Sequence, residues 1–549
     1  MTKTKIHKDI IKCLKKLDIK FEDNFTIEVP NNPEHGDFST NVALVNAKKN
    51  RKKPRILAEK ITEYFSRHRD YKSVDVAGPG FINFKMANRY YHHKLLDISK
   101  TKKFGSSKHG KGKKVLLEFV SANPTGPLNV VNARAAAYGD SLYRIMSYVG
   151  FKAFREYYIN DAGNQVDILA ESLEIRYREL YGEKIEEFPP EAYHGEYIKD
   201  LALKLSAIDS TKLFHISEID RLERMKNFAL AELHREQVKS LERYGVEFEN
   251  WMSEKKLRKE GAIEEVLSYL TEAHCTYEKD EAIWFSSIDF GDEKDRVLMK
   301  ADGNTTYLVP DIAYHLTKYH RGFDIIIDVL GPDHHGHVAK LKAAIKALKL
   351  DVSKLEVVYL QHINLIQNGE VVKMSKRAGK IVSMDDLIDE VGKDAARFFF
   401  LERKPNAHLN FDLELAKKKS NENPVYYCQY AHARIHSILK KAKKEKIYLK
   451  DFDKKYLRRL NKEYELNIIK KLLEFPDTLI SIADSREPHR LANYVHELAG
   501  MFHKYYAKYQ IVNRNHPELS LSRLFLITAV KDVIAISLGL MGISAPKKM

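Results

Sequence analysis

The sequence predicts an α/β fold: a parallel-sheet core with a helical insertion, between an N-terminal α+β domain and a C-terminal all-α helical bundle. Three observations predict it. Apolar strand-like runs at Val115 to Val120, Ile325 to Leu330 and Leu355 to Leu360 alternate with helical stretches, the order of a doubly wound parallel sheet. Two alternating runs flank a Gly78-Pro79-Gly80 turn near the start, as in a small mixed domain. Beyond residue 405 or so the strand pattern gives way to Lys/Leu/Tyr-rich helices.

The elements divide the chain as follows. Residues 1–100 form the N-terminal domain. It opens on an amphipathic helix within Met1 to Lys20 that lacks the unbroken apolar stretch of a signal peptide. Residues 101–114, rich in Gly, Lys and Ser, read as a linker. Residues 115–404 form the central domain; Leu142, Ile145, Met146 and Val149 fall at helical spacing after its first strand, and a charged, mostly helical insertion occupies about 172–300. Residues 405–549 form the helical bundle. In it Phe502, Tyr505, Tyr506 and Tyr509 make a stripe that reads as core, and Val533 to Ile543 is an apolar run too short to span a bilayer.

With 549 residues, several domains are expected, and 44% hydrophobic content permits large cores. An excess of 92 basic over 76 acidic residues gives +16, which suits a polyanionic partner such as nucleic acid and equally fits solvated basic faces. The three cysteines, Cys13, Cys275 and Cys428, contain no C-x-x-C pair. That argues against a disulfide framework or a thiolate zinc site and fits a reducing cytoplasm.

Chemistry concentrates at four places. The run from Glu118 through Pro124 to Leu128 reads as a strand, a Pro/Gly loop and a helix start, the edge where open parallel sheets bind ligands and helix N-termini favour phosphate. An ordinary strand-to-helix turn would read the same way. Tyr307 and Asp311 are four apart, with Pro310 marking a helix that is just beginning; by type alone, Asp311 is a first-turn acid complementing the helix dipole. Asp333-His334-His335-Gly336-His337 has metal-ligand residue types, but neighbours on one short turn rarely converge, so no metal site is expected. Lys373-Met374-Ser375-Lys376 follows Asn368-Gly369-Glu370 on a loop, where its charges suit phosphate and a solvated basic loop would read the same way.

The strings around these places resemble the arginyl-tRNA synthetases. Glu118-Phe119-Val120-Ser121-Ala122-Asn123-Pro124-Thr125-Gly126-Pro127-Leu128 is similar to their first signature, and Arg155 to Gln165 to the stretch after it. Gly331 to Gly336, Lys373 to Lys380, Asp394 to Phe398 and Ser420 to Tyr427 continue the likeness, while Pro33 to Asp37 and Ala77 to Phe81 resemble the family's extra N-terminal domain. The resemblance implies a Rossmann-like catalytic core, an RNA-contacting N-terminal domain and an anticodon-binding bundle. It implies that Glu118, Ser121, Asn123, Tyr307, Asp311 and His334 bind arginine, Asp311 taking the guanidinium. It further implies that Pro124, Asn129, Asn132, Arg134, Gly331, Asp333, His335, Lys373, Met374, Ser375 and Lys376 bind ATP, with Lys373, Lys376, Asn129 and Asn132 catalytic. Magnesium accompanies ATP, and no tightly bound cofactor is expected. L-arginine, ATP and tRNA(Arg) are the implied partners of a cytoplasmic monomer that has no membrane contact.

One departure stands out. The family's His-x-Gly-His segment reads Asn129-Val130-Val131-Asn132 here. Asparagine amides still donate hydrogen bonds but carry no proton charge, and Val131 is branched where glycine is usual. The departure raises the alternative of a non-catalytic tRNA-binding paralogue; the Tyr307/Asp311 pair and the Lys-Met-Ser-Lys string favour the enzyme. A relative specific for another amino acid would lack that pair.

Overall fold

The computed structural model describes residues 2–185, 187–372 and 383–549. The N-terminal helix, Thr2–Lys16, buries Ile6, Ile10, Cys13 and Leu14 along one face, as its apolar spacing requires. It packs with an antiparallel sheet of β1 (Ile27–Glu28), β2 (Phe38–Thr40), β3 (Tyr71–Ala77) and β4 (Phe81–Met86), in the order β1-β2-β4-β3. Gly78 and Gly80 turn the β3–β4 hairpin at φ of +53° and +145°. A Cβ on Gly80 would stand 2.9 Å from that of Pro54, so the tight approach of the preceding helix, Pro54–Phe65, needs glycine there.

The central sheet is wholly parallel. It contains β5 (Lys114–Glu118), β6 (Lys152–Ile159), β7 (Asn250–Ser253) and, further on, two strands following a small sheet of β8 (Thr276–Lys279), β9 (Ala282–Phe285) and β10 (Arg296–Met299). Those two are β11 (Ile325–Leu330) and β12 (Leu355–Tyr359), giving the order β12-β11-β5-β6-β7. Helices cover both faces, which is why the strands read as apolar runs. β5 and β11 pair in register with Asp328 opposite Glu118, so both carboxylates leave the sheet on one side.

Two expectations need adjustment. The segment 172–300 is mostly helical, but it does not lie wholly outside the sheet. Helices Asn164–Leu180, Glu196–Asp209 and Glu218–Tyr244 pack around Leu169, Leu173, Tyr177, Leu205 and Leu233, but β7 then returns to the main sheet and β8 to β10 form an antiparallel sheet. These strands have four residues each, too few to show a period, and the β8–β9 turn uses Asp280 and Glu281 at positive φ instead of the usual glycine or asparagine. Strands also continue past 405. β13 (Ile363–Gln367) pairs with β14 (Glu370–Val372) and, in parallel, with β15 (Leu409–Asp412).

Four long helices complete the chain: Pro424–Lys444, Glu463–Ser485, His489–Lys508 and Pro517–Leu540. Phe502 and Tyr505 are core, whereas Tyr506 is exposed. The apolar run from Val533 lies largely in the last helix, with Val533, Ile534 and Leu538 fully buried, and no helix among the described residues is long and apolar enough to cross a membrane. One apolar cluster extends from Ile6 through the sheet to Ile543. Polar ties reinforce it: His92 Nε2 lies 2.8 Å from the Leu460 carbonyl, and Lys470 Nζ donates to Asp37 at 2.6 Å. Arg397, fully buried, donates to the carbonyls of Met541 at 2.7 Å and Tyr244 at 3.2 Å and to Asp140 at 2.5 Å.

Candidate active site

The carboxyl edge of the parallel sheet opens into a cavity of ≈ 490 Å³. Glu118, Ser121, Asn123, Tyr307, Asp311 and His334, drawn from three separate stretches of sequence, all line it. Glu118 ends β5 and is buried. Immediately after it Val120 and Ser121 adopt φ of +72° and +40°, a costly conformation for a β-branched residue, roughly 1–3 kcal/mol. The surroundings hold that turn. Ser121 Oγ donates to Glu118 Oε1 at 2.9 Å and accepts from the Tyr158 amide at 3.1 Å. Gln237, on the long helix of the insertion, donates to the carbonyls of Asn123 and Gly126 at 3.1 and 2.9 Å.

Tyr307 caps the helix Leu308–His320 and is 75% exposed, an open wall over the cavity. Asp311 sits in the first turn of that helix. Its carboxylate faces His315 Nδ1 at 3.1 Å and, more tightly, His337 Nε2. Burial opposes ionisation, but the two imidazoles hold the Asp311 carboxyl well below the usual carboxylate range. Behind it, His315 Nε2 meets Asp328 Oδ2 at 2.7 Å, and Lys318 Nζ meets Asp328 Oδ1 at 2.8 Å and Glu118 Oε2 at 2.5 Å. Burial and the Lys318 ammonium work against a charged His315, yet Asp311 and Asp328 push it up to about 10. Lys318 is likewise raised: burial disfavours its charge, and Asp328 and Glu118 outweigh that. Burial pushes Glu118 up, with the Lys318 ammonium pulling the other way.

Sequence reasoning missed His337, His315, Lys318, Asp328 and Gln237. A signal for two of them existed: His315 and Lys318 follow Asp311 at i+4 and i+7, on one face of the helix.

The other expected positions lie beside this cavity. Pro124 is buried in the loop after β5. Asn129 and Asn132 begin the helix Val130–Tyr148 as a capping box. Asn129 Oδ1 accepts from the amides of Val131 and Asn132 at 2.9 and 3.0 Å, and Asn132 Oδ1 accepts from the Asn129 amide at 2.9 Å. Both side-chain oxygens are thereby committed to the cap. Gly331 lines the cavity, and Asp333 and His335 are exposed at the end of β11. The His335 ring stacks on Tyr359 with centroids 3.7 Å apart, while His337 turns to Asp311, so these neighbouring histidines diverge. Lys373, Met374, Ser375 and Lys376 lie outside the described residues.

Arg134 requires a correction. It was expected to offer a cation at the helix start, but it is 1% exposed and points inward. Its guanidinium donates to the carbonyl of Gln361 at 2.5 Å and to those of Lys404, Pro405 and Ala407 at 3.1, 3.4 and 3.2 Å. With its donors spent on backbone, it pins the helix and does not reach for phosphate.

Comparison with known proteins follows the same lines. Residues 4–86 match the family described as "Arginyl tRNA synthetase N terminal domain", 94–437 match "tRNA synthetases class I (R), catalytic domain", and 428–549 match "DALR anticodon binding domain". The chain is 45% identical over 534 residues to an arginine–tRNA ligase of Carboxydothermus hydrogenoformans, covering 97% of this chain and 96% of that protein. It is 45% identical over 527 residues to arginine–tRNA ligase 1 of Halalkalibacterium halodurans, covering 95% and 94%. The fold matches the Thermus thermophilus arginyl-tRNA synthetase with a TM-score of 0.73 over 100% of both chains, at 21% identity.

Proposed function

The chain belongs to the class I arginyl-tRNA synthetase family, and from that premise we propose that it activates L-arginine with ATP and esterifies the product onto tRNA(Arg). The observation that carries the reading is the convergence of six residues on one cavity with carboxylates on separate elements. Asp311 receives the guanidinium, whose fixed fork pairs well with a carboxylate. The guanidinium displaces the His337 imidazole, so the partly buried acid is not left unpaired at any stage. Glu118 takes the α-ammonium, Ser121 and Asn123 orient the backbone end of the substrate, and His334 and Tyr307 close the sides.

ATP enters as its magnesium complex along the edge formed by Pro124, Gly331, Asp333 and His335. The arginine carboxylate attacks the α-phosphorus and the bond to pyrophosphate breaks. The step moves no proton; it needs alignment and charge stabilisation. Asn129 and Asn132 supply amide N–H donors to the phosphates, and Lys373 and Lys376, with Ser375 and Met374 beside them, hold the departing pyrophosphate. A ribose hydroxyl of the terminal adenosine, the 2′ in class I, then attacks the arginyl carbonyl and AMP leaves. The N-terminal domain and the helical bundle hold the tRNA, and the protein works as a cytoplasmic monomer. The alternative of a non-catalytic paralogue is not favoured, since the matched relatives are ligases along nearly their whole length.

Arginine-dependent ATP–pyrophosphate exchange, run with and without total tRNA, tests this. Exchange is expected with tRNA present, and Asp311→Asn is expected to lower kcat/KM for arginine by roughly two orders of magnitude, the loss of one charge-assisted pair. A wild-type preparation that binds tRNA and shows no arginine-dependent exchange overturns the reading.

A further inference from the structure

We propose that Lys318 is a positioning residue which, with His315 and Asp328, fixes the separation of the Glu118 and Asp311 carboxylates and so sets the side-chain length that the cavity accepts. The inference rests on reading that cavity as the amino-acid site, and it assigns a role to Lys318, which does not line the cavity and acts through Asp328 and His315 in its inner wall.

The geometry is a continuous polar spine. Glu118 Oε2 lies 2.5 Å from Lys318 Nζ, which lies 2.8 Å from Asp328 Oδ1. Asp328 Oδ2 is 2.7 Å from His315 Nε2, whose Nδ1 is 3.1 Å from Asp311 Oδ1. One end of the spine is the acid placed for an α-ammonium, the other the acid placed for a guanidinium. Every link sits on a rigid element. Glu118 and Asp328 are paired in register on adjacent strands, and Asp311, His315 and Lys318 follow one face of the helix above them.

The spine has little room to relax. Lys318, Asp328 and His315 are 0%, 2% and 3% exposed, and the Lys318 ammonium also lies 4.2 Å from the centroid of the Tyr314 ring. The charges fit the ligand too. Three carboxylates against an ammonium and an imidazolium leave one net negative charge, and arginine carries one net positive charge. A spine serving only to neutralise buried acids would not need to join the two ends of the pocket. This one does, and a ligand one methylene longer or shorter can satisfy only one end at a time. A plain apolar slot discriminates a methylene by about 10–200-fold; fixed polar ends add to that.

The test is tRNA-supported ATP–pyrophosphate exchange with arginine, homoarginine and 2-amino-4-guanidinobutyrate, on the full chain. The double variant Lys318→Met/Asp328→Asn removes a cation and its counter-charge together, and His315→Gln leaves one donor nitrogen where the imidazole has two, breaking the link between Asp311 and Asp328. Expected for both is a raised KM for arginine with a smaller change in kcat, an unchanged KM for ATP, and a fall of about ten-fold or more in the preference for arginine over its homologues. A folded variant of either kind that keeps the wild-type preference overturns the proposal. If the double variant does not fold, His315→Gln alone decides between these two outcomes. Wild-type protein that exchanges with no arginine dependence would instead overturn the cavity reading, and the proposal with it.

Discussion

Asn129 and Asn132 show how one residue type serves two ends. Their oxygens close the capping box, which leaves each amide nitrogen outside that reciprocal pair, at the start of the helix. Asparagine is a strong N-cap, worth about 1 kcal/mol over alanine. The two roles separate by mutation. Asn129→Asp keeps the cap oxygen and is expected to retain the thermal midpoint, while exchange slows by roughly 10²-fold for want of a donor to developing charge. Asn129→Ala is expected to lose both. Equal exchange rates in wild type and Asn129→Asp would remove Asn129 from the catalytic set. Val131 is 40% exposed, so its branch projects from the helix start without displacing the core.

His315 provides a pH signature at the same scale. Burial and Lys318 oppose its charge, but Asp311 and Asp328 raise it from 6.5 to about 10 in the folded protein. A folded value above the unfolded one stabilises the native state fully below about 6.5, and the contribution disappears as pH rises through about 10. Thermal midpoints are therefore expected to fall between pH 7 and 10, and His315→Gln is expected to flatten that fall. An equal slope in the variant would show that His315 is neutral in the native protein.

At the scale of elements, the helix Val130–Tyr148 is held at two points by arginines. Arg134 holds it to the loops around Gln361 and Lys404, and Asp140, in its middle, takes Arg144, Arg155 and Arg397 on one fully buried carboxylate. Arg134→Met keeps the aliphatic stem and takes a donor from four carbonyls, of which those of Lys404 and Pro405 keep a backbone amide. We expect a loss of about 2–4 kcal/mol in denaturant unfolding, with KM for ATP little changed. A raised KM for ATP at unchanged stability would return Arg134 to the phosphate site.

What the sequence made legible also sorts by element. Ile325 to Leu330 is an apolar run with both faces covered, and β11 occupies those residues. The six cavity residues were reached through long ordered strings, because residue type alone made Asp311 a dipole-complementing acid. β7, β8, β9, β10 and β15 escaped notice because four residues cannot establish a period, and β15 finds its partner 46 positions earlier in Asn364 to Asn410 pairing. Lys318 and Arg134 were illegible for a different reason. A lysine or arginine in a basic chain reads as solvated, and only the tertiary fold shows its charge turned inward against acids or carbonyls.

For the whole molecule, the bundle and the core are not readily separable. β15 belongs to a sheet begun at Ile363, and Arg397 takes a carbonyl from Met541. Removing everything after about 410 would strip both, so RNA contact is better tested on the surface. Lys440, Lys441, Lys443 and Lys444 are all exposed on the first bundle helix. Reversing the four to glutamate is expected to weaken tRNA binding at least ten-fold near physiological salt and to flatten the dependence of log Kd on log salt. Exchange kinetics at saturating tRNA are expected to stay near wild type. Unchanged affinity and slope would place the RNA elsewhere.

The Arg397 tie also bears on the order in which the protein is made. Its partner carbonyl at Met541 lies 144 residues downstream. At about 5–20 residues per second, a ribosome needs roughly 7–30 s to travel that distance. Throughout that interval Asp140 and the Tyr244 carbonyl are already synthesised, but the guanidinium has one acceptor too few, beside a space that Gly542 later fills so closely that a Cβ would stand 2.3 Å from Arg397 Nη2. The nascent centre can collapse early, yet it closes only when the helix Pro517–Leu540 and the turn after it arrive, so its last polar contact forms long after its own residues are made.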